Sequence, residues 1–288
     1  CVADDECASL VCNRDAGTCA APADVLYVEL NGTGAACTQA APCGTLAEAL
    51  AIAGDHTIKL GVGLHRGTAA IAGGRAITLH GAGADQTELA YFSAVPDAEI
   101  LTVTTGATLT LEGLKLTGAP PTAPAVRCDN ATIGAFRVHV DGVAQGGFAI
   151  NRCGFALVNT AITRCGSATS TFGAVSLTNL TSAQPVRFEI NTLIGNSASG
   201  ANVAGVACAL LSRPVPLSVA PKGVYERTRP LPPALARAAN ALIAEERPLG
   251  TAGWQQVTCL QMPEERPCLY VRPGTCTPDP EFNYQVSL

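Results

Sequence analysis

The sequence predicts an all-β solenoid, and two observations lead there. A short alternating phrase recurs as Ile77-Thr-Leu-His-Gly81, Leu109-Thr-Leu-Glu-Gly113, Ala131-Thr-Ile-Gly-Ala135, Phe155-Ala-Leu-Val-Asn159 and Phe188-Glu-Ile-Asn191. Its final residues are separated by steps of 32, 22, 24 and 32, within the range of roughly 20–50 residues that marks solenoids, propellers and arrays. An apolar residue then returns at a fixed distance beyond four of the phrases, as Leu116, Val138, Ile162 and Ile194. Each such repeat therefore reads as a strand, a tight corner and a second strand.

The elements follow from alternation and from corner chemistry. Period-2 alternation turns every second side chain inward. Gly113, Asn159 and Asn191 suit corners because Gly and Asn tolerate left-handed backbone angles. A stacked Asn would also bond to its neighbour one coil along, about 4.8 Å away. Ala135 aligns with them as the corner of its own repeat. That alignment sets Lys115 beside Arg137, Thr117 beside His139 and Thr163, and Gly134, Val158 and Ile190 opposite Glu112. Inward parity slips by one residue before Asn191, and the longer steps call for surface loops such as residues 167–185. Ahead of the repeats, Thr45 and Glu48 make a capping box before Leu46, Ala49, Leu50 and Ala53, so residues 45–53 read as a short amphipathic helix. Laid across the first coil, it would cover the apolar side chains and unpaired strand groups that a solenoid leaves at its end.

Three segments in order carry a family likeness: Pro42-Cys-Gly-Thr-Leu-Ala-Glu-Ala-Leu-Ala-Ile-Ala, His56-Thr-Ile-Lys-Leu-Gly-Val-Gly-Leu, and Thr78-Leu-His-Gly-Ala-Gly-Ala-Asp-Gln-Thr-Glu-Leu. They resemble the first coils of right-handed parallel β-helix proteins of the pectate-lyase-like type, and the likeness extends over roughly residues 25–210. It implies a fold rather than an activity, because this superfold hosts lyases, hydrolases, adhesins and inert structural proteins.

Composition points to an extracellular protein. Charged residues make up 14% of the chain and hydrophobic ones 48%, yet no apolar run approaches the roughly 20 residues a membrane span requires. With a net charge of −5, no basic cluster and 5% aromatics, no nucleic-acid partner is expected. Thirteen cysteines without a single Cys-x-x-Cys pair indicate disulfides and an oxidising compartment. Cys1, Cys7, Cys12 and Cys19 define a small module, residues 1–20, which has no core of its own and should contain two disulfides of undetermined connectivity. Cys1 also matches the first residue of a mature lipoprotein, a reading that the four-cysteine spacing disfavours. Cys37 and Cys43 bracket a small loop, and Cys128 and Cys153 precede their strands by similar distances, so each pair is expected to bond. Cys165, Cys208, Cys259, Cys268 and Cys276 remain, an odd number that leaves a thiol free or bonded to another chain.

The chain divides into the module, a solenoid at residues 21–210 and a terminal part at residues 211–288. The final 80 residues hold 12 of the 19 prolines and the one Trp. There, residues 234–246 read either as a helix or as one more coil, since Ile243 follows Asn240 at the repeat interval. Cys259, Cys268 and Cys276 would staple the loops that close this end.

Outward-facing polar residues are the candidates for function. In Phe136-Arg-Val-His-Val-Asp141, alternation turns Val138 and Val140 inward and Arg137, His139 and Asp141 outward, near Lys115. The four are the predicted binding residues, offering a cation for a uronate carboxylate, an imidazole and a carboxylate. Were the chain an enzyme, Arg137, His139 and Asp141 would be its catalytic residues. The family likeness implies that such a lyase would bind Ca²⁺ through several carboxylates and use an arginine as base, whereas only Asp141 lies near Arg137. Glycoside hydrolysis needs two convergent carboxylates, and the predicted register sets none beside Glu112. The sequence has no nucleophile elbow, zinc motif, phosphate loop or dinucleotide fingerprint, and Gly81-Ala-Gly-Ala-Asp-Gln reads as a solenoid corner. The triplets at Asn31, Asn130 and Asn179 match glycosylation acceptors, short patterns that recur by chance.

Three function classes follow. The favoured one is a non-catalytic secreted or cell-surface rod for adhesion, carbohydrate binding or self-assembly, without metal or cofactor. The alternative is a polysaccharide lyase or glycoside hydrolase, in which Ca²⁺ would enter only as part of a lyase site. The third makes residues 1–20 the reader and the solenoid its spacer.

Overall fold

The computed structural model describes residues 1–14, 17–91, 99–118, 122–180, 186–189, 191–199, 202, 204–209, 255–259 and 268–271. Three parallel sheets form the body, and from His56 to Ala209 the described strands visit them in rotation. The first sheet runs Val25–Val28, His56–Leu60, Ala76–His80, Thr108–Glu112, Thr132–Phe136, Gly154–Val158 and Val186–Glu189. The second runs Gly63–Arg66, Thr87–Ala90, Lys115–Thr117, His139–Asp141, Ala161–Thr163 and Thr192–Ile194. The third runs Ala69–Ile71, Leu101–Thr104, Val126–Asp129, Phe148–Asn151, Val175–Thr178 and Val206–Ala209.

Alternation explains why these strands stack. Along the first sheet Leu79, Leu111, Ala135, Leu157 and Phe188 sit one above another, as do Leu89, Leu116, Val140, Ile162 and Leu193 along the second. All of them are buried in one continuous apolar core with the inward residues of the third sheet. Most strands bury every second side chain, as in Thr108–Glu112, Phe148–Asn151 and Val175–Thr178, so the alternate residues form rows on the outer faces.

The N-terminal end of the stack is covered. A helix, Leu46–Ala51, buries Leu46 and Ala49 against the first strands of the first and third sheets. Its N-terminus is held by the predicted box: Glu48 N–H donates to Thr45 Oγ1 at 3.2 Å, and Thr45 N–H to Glu48 Oε2 at 2.9 Å. Arg75 caps the other end by donating to the carbonyls of Leu50, Ile52 and Gly54 at 2.9, 2.9 and 3.1 Å. The loop closed by the Cys37–Cys43 disulfide pairs with the outer edge of Val25–Val28: Tyr27 N–H donates to the Cys37 carbonyl, and Cys43 N–H to that of Tyr27.

Residues 1–20 are crosslinked by Cys1–Cys12 and Cys7–Cys19, and they lie on the outer face of the first sheet rather than beyond its end. Val11 packs with Val25 and Tyr27 in a small second apolar cluster, and the Tyr27 hydroxyl donates to the Ser9 carbonyl at 2.8 Å. Asp4 accepts from Lys59 Nζ at 2.5 Å, from the Cys12 N–H at 3.0 Å and from His80 Nε2 at 2.8 Å. Burial would raise the Asp4 carboxyl, but the hydrogen bonds from Lys59, Cys12 and His80 outweigh it and bring it to about 2.

The register corrects the corner alignment. Leu111 pairs with Ala135 and Glu112 with Phe136, so the residue stacked beside the Gly113 corner is Arg137, not Ala135. Gly113, Arg137 and Asn159 all have left-handed φ, at 59°, 56° and 51°. Consequently Lys115 lies beside His139 and not Arg137, and Thr117 beside Asp141 and not His139. Glu112 is followed along its row by Phe136, Val158 and Glu189. Asn191 lies in the corner between Val186–Glu189 and Thr192–Ile194, but the register sets it one coil along from Thr160 and not from Asn159; it is buried there, its Oδ1 accepting from the Thr160 N–H at 2.9 Å and its Nδ2 donating to the Leu157 carbonyl at 2.8 Å.

Cys128, inside a third-sheet strand, is bonded to Cys153, two residues beyond the next strand of that sheet. Cys165 is a buried free thiol. Farther on, Gln255–Cys259 pairs antiparallel with Cys268–Val271, in a register that opposes the Cα atoms of Cys259 and Cys268. Residues 234–246 and Cys276 lie outside the described residues. Among the described residues, no helix is long and apolar enough to cross a membrane.

Candidate functional site

The outer face of the second sheet carries two rows of side chains. Leu64, Glu88, Lys115, His139 and Ala161 form one, and Arg66, Ala90, Thr117, Asp141 and Thr163 the other. Neighbours within a row are about 4.8 Å apart, the spacing of hydrogen-bonded strands.

Asp141 is the hub. Its carboxylate accepts from Thr163 Oγ1 at 2.8 Å and from Arg164 Nε and Nη2 at 2.9 and 2.6 Å, and Lys115 Nζ lies 3.2 Å away. Arg164 reaches it because the residue turns the corner after Thr163 with a left-handed φ of 54°. The forked Arg164 guanidinium is the main reason the Asp141 carboxyl sits far below the ordinary carboxylate range. Burial opposes that shift, while Thr163 and Lys115 add to it.

The same network fixes a tautomer. The Thr163 hydroxyl spends its one proton on Asp141, so at its 2.8 Å contact with His139 Nε2 it must accept. His139 therefore carries its proton on Nε2. Burial lowers its pKa, nearby Asp141 works against this, and Lys115 and Arg164 reinforce it. The ring is then neutral at pH 7, with Nδ1 as a bare acceptor.

Beside the row lies an open groove of about 540 Å³, lined by Leu64, Asp85, Gln86, Glu88, Lys115 and His139 together with small residues of the preceding corner. Glu88 accepts from Thr117 Oγ1 at 2.5 Å, which orients it along the face. Chemically the groove offers an amide, an ammonium held in place by Asp141, a neutral imidazole acceptor, two carboxylates and one apolar wall. Such a set suits a hydroxyl-rich ligand that needs both donors and acceptors.

Of the four residues expected to act together, Lys115, His139 and Asp141 converge. Arg137 does not: it sits at the corner toward the first sheet and pairs with Glu112. Burial works to raise Glu112, but His80 and Arg137 together hold it below its ordinary range. Glu88, Gln86 and Arg164 were missed in the sequence. The true register would have found Glu88, one rung before Lys115, and Arg164 as the corner residue after Thr163. A second polar ladder, also missed, runs along the third sheet, where Asn151 Nδ2 donates to Asp129 at 2.8 Å and Asn179 Nδ2 to Asn151 at 2.7 Å. It engages the amide of the Asn179 acceptor triplet.

Comparison with protein-family models, with curated proteins and with solved structures gave no match.

Proposed function

We propose that the chain is a right-handed parallel β-helix of the pectate-lyase-like type, secreted or held at a cell surface, which binds carbohydrate without cleaving it. The three sheets visited in rotation support the fold reading. The disulfides support an oxidising compartment. One observation carries the functional reading: the carboxylate at the centre of the polar face is consumed by its own neighbours, Lys115, Thr163 and Arg164, while Gln86, Lys115 and His139 remain turned to the groove. A general base needs a pKa near the working pH, and Asp141 is held far from it. Binding needs only fixed donors and acceptors, which that ion pairing supplies.

The test is retention on a panel of insoluble neutral and acidic polysaccharides, comparing the wild-type chain with Lys115→Ala and His139→Ala. Retention of the wild type on one polymer, lost in both variants, is the expected result. Equal retention of all three would place binding elsewhere, and retention of none of them would end the carbohydrate reading.

A further inference from the structure

The groove on the second sheet is richer in acceptors than in donors. Glu88 sits in its row between Leu64 and Lys115, and Asp85 and Gln86 stand exposed in the corner just before it. Thr117 Oγ1 donates to one oxygen of the Glu88 carboxylate at 2.5 Å, which fixes the group on the face of the sheet. A carboxylate only accepts hydrogen bonds. The lone pair of His139 Nδ1, set by the Nε2 contact with Thr163, adds a third acceptor to the same lining.

Among the described residues one cation, Lys115, lines the groove, and it does not offset the two carboxylates. Its Nζ lies 3.2 Å from Asp141, so its charge is already matched, and what it offers a ligand is its remaining N–H groups. Two further cations of this face stand outside the lining: Arg66 belongs to the second row, and Arg164 turns the corner beyond Thr163 and forks onto Asp141. A sugar hydroxyl can donate to Glu88, Asp85 or His139 and accept from Lys115 or Gln86. A uronate carboxylate in the same place would set acceptor against acceptor, and like charges brought into contact oppose binding.

We propose that the ligand of this groove is a neutral polysaccharide and that Glu88, with Asp85 beside it, excludes polyuronates, an inference that rests on the carbohydrate reading above. The cations that the sequence offered to a uronate are engaged elsewhere: Arg137 pairs with Glu112 at another corner, and Lys115 serves Asp141. Selectivity of this kind comes from a repulsive element rather than from an added attraction. Because the groove is open, its repulsion is screened by salt, whose reach falls from about 30 Å at 0.01 M to about 3 Å at 1 M.

Retention of the intact chain on insoluble neutral polysaccharides and on a cross-linked polyuronate, each at low and high salt, tests it. The wild type should be retained on a neutral polymer at both salt concentrations, and on the polyuronate weakly, less at low salt than at high. Glu88→Gln should raise the ratio of polyuronate to neutral retention at low salt by about tenfold, the scale of removing one like-charge contact. Asp5→Asn removes the same charge from the module and should leave that ratio as in the wild type. Preferential retention of the wild type on the polyuronate, or retention there that salt does not change, would overturn the proposal and leave carbohydrate binding standing. So would an unchanged ratio in Glu88→Gln, or an equal rise in Asp5→Asn. Retention on neither polymer would remove the carbohydrate reading as well. The salt comparison is read on the wild type even if a variant fails to fold.

Discussion

Asp141 shows how one carboxylate organises the side chains around it. It orients the Lys115 ammonium, anchors Arg164 and, through Thr163, selects the His139 tautomer. Asp141→Asn keeps the shape and removes the charge, so urea denaturation at pH 7 should show a loss of about 2 kcal/mol, the scale of hydrogen bonds to a charged group. The pH dependence has a definite sign. Because the folded carboxyl lies below its unfolded value of about 3.9, its stabilisation is present above that value and lost as pH falls toward the folded one. The variant should therefore lose less stability than the wild type between pH 4 and 2; equal acid sensitivity would mean that Asp141 contributes little. Cys165 makes the opposite case. Burial pushes its thiol up to about 11, so alkylation at pH 8 should leave the Cys165 peptide unmodified in native protein and label it after denaturation.

The elements are held by contacts that cross from coil to coil. Asn191 bonds to both backbone partners in the preceding coil, and Asn196 repeats the arrangement on Cys165 N–H and the Ile162 carbonyl at 2.8 and 2.9 Å. Asn191→Ala leaves the Thr160 N–H and the Leu157 carbonyl buried without those bonds and should cost about 1–3 kcal/mol, measured by thermal or urea unfolding. Arg75→Ala should fray the capping helix, seen as faster amide exchange at Ala49 and Ile52 with the sheets unaffected. The strands themselves were legible in the sequence, since Leu109, Leu111, Ile133 and Leu157 announce the inward rows by alternation alone. The corners were only half legible. Gly113 and Asn159 advertise a left-handed backbone, but Arg137 adopts the same angle without any chemical sign of it, and choosing Ala135 instead displaced the register by two residues. That error joined Arg137 to the candidate site, while Glu88 was missed because the corner between His80 and Thr87 is longer than the one between Glu112 and Lys115. The Asp4–Lys59–His80 contact had no local signal at all, because stacking over several coils brings its members together.

At the scale of the whole molecule, the module and the solenoid form one body. Val11, Tyr27 and the Asp4 ion pairs bind them, which disfavours an N-terminal reader on a passive spacer. Deleting residues 1–20 would leave Lys59 and His80 without Asp4 and strip cover from Tyr27. The shortened chain should unfold at a lower temperature, by an amount that shrinks in the Asp4→Asn background. The groove lies on a different sheet, so the deletion should spare polysaccharide retention.

The central claim is that this face binds a carbohydrate chain and leaves it intact, and one experiment addresses it directly. The wild-type chain is incubated with each polysaccharide that retains it, and the bound polymer is then recovered and sized, with reducing ends and unsaturated products measured in the same samples. The account predicts retained polymer of unchanged length and no products above a protein-free control. Shortened polymer with new reducing ends or unsaturated termini, lost in Lys115→Ala or His139→Ala, would contradict it and identify the face as the site of a hydrolase or lyase.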